Sequence, residues 1–294
     1  MTGEHRPLLV ATDLDGCLLD EDSYSHQAAG GALARLEAAG VPLVVCSSKT
    51  RAEVAPLLVE LGVAGPYVVE NGGAVVLPRG GLGAGLAGVR REGDDELVEL
   101  GVPATVLARE LREIAAETGV RLTSFSALSV REVEGLTGLS GDRAARALRR
   151  EWDEPFLVDW TGPSPSGRPA AEAVSAAAEA RGLRVTRGSR FHHLTGQTDK
   201  GCALRELLRM LERQGRRFQV VALGDAPNDV PLLRASDRPI VVPRRAGVDP
   251  TVARLLPDAE RAPLPGPTGW GQAVLAVLEG RVLPKVDGLE RPAR

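Results

Sequence analysis

Leu8-Leu9-Val10-Ala11-Thr12-Asp13-Leu14-Asp15-Gly16 begins as an apolar run and ends in two carboxylates and a glycine. A short apolar run closed by turn chemistry reads as a strand, and one without polar alternation suits a parallel sheet covered on both faces. Working outward, residues 27–39 carry a helical pattern, 41–46 a strand, 51–61 a helix and 67–69 a strand, so the first part of the chain predicts a βαβαβ unit. Residues 74–77 look hairpin-like, and residues 80–88 are glycine-rich enough for a linker or hinge. That stretch holds a formal GxGxxG, but no helical pattern opens after it, which argues against a dinucleotide fingerprint. The rhythm then changes. Helices are predicted over 103–117, 143–152 and 169–181, and short strands over 120–123, 156–160, 183–186 and 191–194. From Lys200 the βα order returns, with helices over 200–214, 230–235 and 269–278 and strands over 218–223 and 240–242. The predicted fold is α/β, a Rossmann-like parallel sheet formed by residues 1–82 and 195–294, with an α+β unit inserted at 83–194.

Composition narrows the function. With 294 residues and 43% hydrophobic content, the chain suits one large core or two smaller ones. No run of about 18 apolar residues occurs, and residues 1–6 lead into the first strand without the apolar segment of a signal peptide, so a soluble, cytoplasmic protein without a membrane partner is expected. Cys17, Cys46 and Cys202 cannot all pair, and none belongs to a CxxC unit, which disfavours a disulfide framework or a zinc site. A net charge of −3, with four Phe, two Tyr and three Trp, argues against a nucleic-acid partner. The 36 basic residues include only the lysines Lys49, Lys200 and Lys285. Such scarcity either marks places that need a compact ammonium or reflects chance placement.

Three strand ends and one helix start carry the candidate chemistry. Asp13 and Asp15 lie at the carboxyl edge of the first strand, where open α/β sheets bind their ligands; an ordinary acidic turn is the alternative. The second strand ends in Ser47-Ser48-Lys49-Thr50, in which Thr50 equally reads as a helix cap. The strand over 218–223 ends in Gly224-Asp225-Ala226-Pro227-Asn228-Asp229, and Lys200 opens a helix after Thr198-Asp199.

Taken in order, Asp13-Leu14-Asp15-Gly16, Ser47, Lys200 and Gly224-Asp225-x-x-Asn228-Asp229 resemble the four motifs of the haloacid dehalogenase superfamily, and the insertion resembles the large α+β cap of its sugar-phosphatase branch. More narrowly, Cys46-Ser47-Ser48-Lys49-Thr50-Arg51, Glu70-Asn71-Gly72-Gly73, Leu136-Thr137-Gly138-Leu139-Ser140, Gly188-Ser189-Arg190-Phe191-His192 and Thr198-Asp199-Lys200-Gly201 are similar to the mannosyl-3-phosphoglycerate phosphatase family. The likeness covers both core and cap. It implies a phosphomonoester hydrolase working through a phosphoaspartate on Asp13, with Asp15 as general acid and base. It also implies Mg²⁺ on Asp13, the Asp15 backbone carbonyl and Asp225, supported by Asp229. Ser47, Lys200 and Asn228 are the implied phosphate binders. Lys49, Asn71, Thr137, Ser140, Arg190 and His192 are the implied contacts to a glycosyl phosphoglycerate or other small sugar phosphate. Arg190 and His192 also fit a surface arginine and a core-edge histidine, and Thr137 and Ser140 also fit helix caps. The chain departs from the superfamily at Cys17, usually threonine, and at Ala226, often serine; both changes remove a hydroxyl near the site.

Other classes share parts of this pattern. A phosphoacceptor receiver module combines acids, a hydroxyl and a lysine on a parallel sheet, but its small domain leaves an insertion of this size unexplained. A broader sugar-phosphate phosphatase or a phosphomannomutase-like enzyme would keep the same core. The sequence does not distinguish a mannosyl from a glucosyl substrate, nor does it give the oligomeric state.

Overall fold

The structure, a computed structural model, describes residues 6–82, 89–159, 164, 167–188 and 191–286. The chain opens with β1 (Leu8–Thr12), α1 (Gly30–Ala38), β2 (Leu43–Cys46), α2 (Arg51–Glu60) and β3 (Tyr67–Val69), the expected βαβαβ unit. A tight connection turns β3 back into β4 (Ala74–Pro78), beyond which β5 (Arg90–Glu92) and β6 (Asp95–Glu99) form a hairpin. The middle of the chain comprises α3 (Ala104–Thr118), β7 (Leu122–Ser124), α4 (Val130–Thr137), α5 (Gly141–Ala147), β8 (Glu154–Val158), α6 (Ala170–Glu179), β9 (Arg184–Arg187) and β10 (His192–Thr195). The last part runs through α7 (Lys200–Arg213), β11 (Gln219–Gly224), α8 (Val230–Arg234), β12 (Arg238–Val241), α9 (Pro250–Leu255), β13 (Glu260–Arg261) and α10 (Gly266–Leu278).

Among the described residues, the larger sheet runs β13-β12-β11-β1-β2-β3-β4-β6-β5, parallel from β13 to β3 and antiparallel beyond. β1 lies between β2 and β11, and the chain reaches β11 only after the whole insertion. The carboxyl ends of these three strands therefore open a crevice at the point where the strand order reverses. Both faces of the sheet are covered. Along β1, Val10 packs in one cluster with Val45, Leu36 and Trp270, while Leu9 and Ala11 join Val44, Leu204 and Leu207 in another. Helices on both sides explain why β1 and β2 read as unbroken apolar runs. The fully buried Trp270 donates from Nε1 to Thr12 Oγ1 at 2.9 Å, which fastens α10 beneath the end of β1.

The smaller sheet is antiparallel, β7-β8-β10-β9, and packs on α3 and α6 through Leu107, Leu111, Ile114, Phe156, Val174 and Leu194. A separate cluster of Phe125, Val133, Ala144 and Ala147 joins α4 to α5. The α/β class with a parallel-dominated sheet and an α+β insertion is as expected; α9 and β13 are additional short elements near the end of the chain, and three features of its first half differ. Residues 90–99, read as the start of the insertion, hydrogen-bond into the larger sheet through β5 and β6. The crossing to the smaller unit follows, at Leu100 and Gly101, whose amides both donate to the Gly73 carbonyl at 2.9 and 2.8 Å. Residues 83–88 of the glycine-rich stretch lie outside the described residues.

The second difference is α4, where no helix was expected. Ser129 and Glu132 form a capping box, with Glu132 Oε2 accepting from the Ser129 amide at 2.7 Å, and Gly138 ends the helix at φ 74°. The third is α5, which stops at Ala147 rather than running to Trp152, because the amides of Glu151 and Trp152 turn away to donate to the buried Glu70 carboxylate. Among the described residues no helix is long and apolar enough to cross a membrane.

The seat of α7 against α8 depends on Gly201, where a Cβ would come within 2.1 Å of the Pro231 carbonyl oxygen. Gly201→Ala should therefore force the two helices apart, at about 1–3 kcal/mol for such overpacking. That corresponds to a fall of roughly 3–10 °C in the midpoint of thermal unfolding by circular dichroism. An unchanged midpoint would show that the two helices do not approach this closely.

Candidate active site

The strand ends deliver their side chains to one crevice. Asp13 follows β1 directly, and its amide donates to Leu223 O of β11 at 3.0 Å, so its position is set by the ladder itself. Gly16 turns the chain at φ 77°, and a Cβ there would lie 3.0 Å from Asp225 Oδ2. Glycine thus lets the loop after β1 close onto the loop after β11. Cys17 is wholly buried, with Sγ 3.6 Å from Thr12 Oγ1; it fills space under the loop.

Lys200 is the first residue of α7, whose N-cap Asp199 accepts from the Cys202 amide at 2.7 Å. Its Nζ donates to Asp13 Oδ1 at 2.5 Å and to Asp229 Oδ1 at 2.6 Å. The lysine is 1% exposed. Burial opposes its charge, but Asp13 and Asp229 outweigh it and hold the ammonium above the usual lysine range. Burial, reinforced by the negative charge of Asp229, pushes the Asp13 carboxyl up to about 7 despite Lys200. Burial, with Asp229 and Asp13 adding to it, also raises Asp225 well above the carboxylate range. Oxygens of Asp13, Asp225 and Asp229 lie within 4.8 Å of one another.

Three crowded carboxylates, with Asp13 and Asp225 holding their protons more tightly than usual, are the arrangement expected of a cation-binding site. The donors fit one. All are hard oxygens, which suit Mg²⁺, and Asp225 Oδ1 and Asp15 Oδ1 are buried without a hydrogen-bond partner among the described residues. Both Asp229 oxygens are already engaged, Oδ1 by Lys200 and Oδ2 by the amides of Asp225 and Ala226 at 3.1 and 3.0 Å. Asp229 therefore braces the loop that presents Asp225. Gly224 permits this, because a Cβ there would meet Asp229 Cβ at 2.5 Å.

Above these acids lies a cavity of about 290 Å³ that takes residues from both sheets' units, among them Asp13, Asp15, Lys49, Arg150, His193 and Arg244. Asn228 and Thr137 also line it, and Thr137 Oγ1 donates to Val133 O at 2.6 Å. Ser47 is buried beside it, with Oγ accepting from the Lys49 amide at 3.1 Å. Lys49 reaches Asp15 Oδ2 at 2.7 Å and stands 5.1 Å from the centre of the Tyr24 ring, so its ammonium already serves a carboxylate of the site.

The remaining expected contacts fall elsewhere. Asn71, left-handed at φ 56°, spends its amide on a bridge: Nδ2 donates to Asp153 Oδ2 at 2.9 Å, and Oδ1 accepts from Asn228 Nδ2 at 3.1 Å. Ser140 is an exposed N-cap residue of α5 outside the cavity lining. His192 stacks on Phe156, with ring centres 5.5 Å apart, and its neighbour His193 lines the cavity in its place. Consecutive strand residues point to opposite faces, so only one of the two can enter. Arg190 lies outside the described residues.

Five further residues contribute, and of these only Glu70 lay in a motif stretch noted in the sequence, without a role of its own. Arg244 donates from Nε to Asp225 Oδ2 at 2.5 Å. Arg150 donates to Ser48 O at 2.7 Å and covers the Phe125 ring. Asp153 and His193 pair at 2.8 Å. Glu70, wholly buried with its carboxyl pushed up by burial to about 7, accepts from the amides of Glu151 at 3.1 Å and Trp152 at 2.7 Å and fastens the insertion to the end of β3.

Comparison with known proteins bears out the family resemblance and the fold. Residues 10–80 match the haloacid dehalogenase-like hydrolase family. The chain is similar to the glucosyl-3-phosphoglycerate/mannosyl-3-phosphoglycerate phosphatase of Methanococcoides burtonii, 35% identical over 271 residues that cover 92% of this chain and 97% of the relative. The enzyme of the same name from Persephonella marina is 34% identical over 278 residues, with the same coverage. A crystal structure from Thermoplasma acidophilum shares the fold, with a TM-score of 0.63 at 21% identity, over 92% of this chain and 97% of that one. With two strand-end carboxylates, a buried lysine and a second acidic loop converging under one cavity, and relatives of this identity along nearly the full length, the chain belongs to the haloacid dehalogenase-like hydrolases and is a phosphatase.

Proposed function

We propose that this phosphatase removes the phosphate of a glycosyl-3-phosphoglycerate, mannosyl or glucosyl, through a phosphoaspartate on Asp13. What carries the reading is Asp13 itself: a nearly buried carboxylate held by Lys200 at 2.5 Å, opening into a cavity that also takes residues from the inserted unit. Phosphoryl transfer needs little beyond an in-line nucleophile, neutralised phosphoryl oxygens and a proton for the leaving group. An Asp13 oxygen attacks phosphorus, the ester P–O bond breaks, and Asp15 gives the departing alkoxide its proton. Asp15 then takes a proton from water as that water attacks the phosphoaspartate, which releases inorganic phosphate and restores both carboxyl groups. Lys49, 2.7 Å from Asp15, keeps that side chain at the mouth of the site.

Ser47, Lys200 and Asn228 supply donors toward phosphoryl oxygens. Asp13, Asp225 and the Asp15 carbonyl would hold Mg²⁺, with Asp229 bracing Asp225. Once bound, the ion neutralises the charge of the phosphoryl oxygens. The glycerate part of the substrate carries a carboxylate beside its phosphate. Lys49, Arg150 and Arg244 line the cavity and, although Lys49 and Arg244 already face Asp15 and Asp225, are the described cations that such a carboxylate can meet there. Arg190, between β9 and β10, is the remaining candidate for that carboxylate. The two relatives of about 35% identity are named for both sugars, which supports the glycosyl assignment without choosing between them.

Asp13→Asn should lower kcat by roughly ten-thousand-fold or more, the scale of nucleophile removal; near-normal phosphate release by that variant would sink the mechanism. Excess chelator should abolish turnover, Mg²⁺ should restore it, and Asp225→Ala should need far more Mg²⁺ for half-maximal rate. Full activity in chelator rejects the metal assignment. Among mannosyl-3-phosphoglycerate, glucosyl-3-phosphoglycerate and mannose 6-phosphate, one of the first two should have the highest kcat/KM. A preference for mannose 6-phosphate would point instead to a broad sugar phosphatase. In ¹⁸O water the released phosphate should carry the label, whereas a mutase returning phosphate to sugar would leave little free phosphate.

A further inference from the structure

His193 and Asp153 form a buried pair that the reaction at Asp13 does not use. The Asp153 side chain is 0% exposed and that of His193 7%. Asp153 Oδ2 faces three groups: His193 Nδ1 at 2.8 Å, Asn71 Nδ2 at 2.9 Å and Arg150 Nη1 at 3.7 Å. A carboxylate only accepts, so the bond to His193 needs a proton on Nδ1, and with that tautomer Nε2 carries a lone pair whenever the ring is uncharged. Nε2 has no hydrogen-bond partner among the described residues. It lies beside Gly188, where a Cβ would stand 3.1 Å from it, and both residues line the cavity that holds Asp13.

A buried ring with a fixed tautomer and an open acceptor, facing a ligand cavity from the inserted unit, suits a donor supplied by the ligand. Asp13 follows β1 of the larger sheet and His193 lies on β10 of the smaller one, so a ligand whose phosphate meets Asp13 reaches His193 with its other part. We propose that His193, oriented by Asp153, is a specificity residue for the glycosyl group, its Nε2 accepting a hydrogen bond from a sugar hydroxyl. This rests on the glycosyl-phosphoglycerate reading above. Gly188 keeps the approach to Nε2 open, and the bond from Asn71 to Asp153 ties the ring to the loop that carries Asn228.

The test compares glycosyl-3-phosphoglycerate with 3-phosphoglycerate, which has the same ester and carboxylate and lacks only the sugar. His193→Ala should lower the ratio of their kcat/KM values about tenfold, mainly through a higher KM for the glycosyl ester, the scale of one lost buried hydrogen bond. His193→Gln, which restores an acceptor, should recover part of that ratio. Gly188→Ala keeps the His193–Asp153 pair and crowds Nε2, so it should lower the same ratio even if His193→Ala fails to fold. If both esters weaken equally, so that the ratio stays at the wild-type value in His193→Ala or, where that variant does not fold, in Gly188→Ala, His193 reads the carboxylate or only supports the fold, and the assignment is overturned. A wild-type enzyme that ignores both glycosyl esters overturns this proposal together with the substrate reading. Turnover of the glycosyl ester with an unmoved ratio overturns this one alone.

Discussion

A single ammonium, Lys200 Nζ, stands between the buried carboxylates of Asp13 and Asp229, and the site is arranged around it. Leaving like charges this close without a cation is unfavourable in a low-dielectric interior, and removing one partner of a buried ion pair typically costs about 3–5 kcal/mol. Lys200 meets part of the demand. The unpartnered oxygens of Asp15 and Asp225 mark what remains for a hard cation. The lysine is placed by α7, α7 is seated by Gly201 on α8, and Asp13 is fixed by the ladder between β1 and β11. The electrostatics of the centre thus depend on backbone contacts that only glycine allows.

Strand order explains how residues so far apart in sequence meet. The long connection from β2 to β11 contains the whole insertion, so the insertion hangs over the carboxyl edge where β1, β2 and β11 end. Asp13 lies beneath, and the cavity over it is closed by side chains of the insertion such as Arg150 and His193.

The sequence made the floor of the site legible because its signals are local: a buried strand followed by Asp13 and Asp15, a helix opened by Lys200, an acidic turn after β11. The walls were less legible. Arg150 and Arg244 sit in loops with no distinguishing pattern, and their partners, Ser48 O and Asp225, are defined only by the tertiary fold. His192 and His193 differ by one step of strand parity, and parity is set by which neighbours β10 pairs with, here β8 and β9. The helix α4 is a different case, since Ser129 and Glu132 carried a readable capping box. The glycine-containing turn at Gly138 serves both helices, ending α4 and preceding the N-cap Ser140 of α5. Residues 90–99 reflect a general limit: a hairpin beside a glycine-rich stretch pairs equally well with either neighbouring sheet until the edge it meets is known.

The coupling between the two units lies at the end of β3. Glu70 and Asn71 both take positive φ, 49° and 56°, a conformation unfavourable for non-glycine residues and least so for asparagine. What holds them there is the set of bonds they make across the boundary. Glu70 accepts the amides of Glu151 and Trp152, which ends α5, and Asn71 joins Asn228 to Asp153 and through it to His193. An extended backbone at these two positions would aim both side chains elsewhere. The left-handed pair therefore sets where the insertion stands relative to the acidic loop, so the distance between the strand-end carboxylates and the cavity wall formed by the insertion is fixed by backbone geometry at two residues.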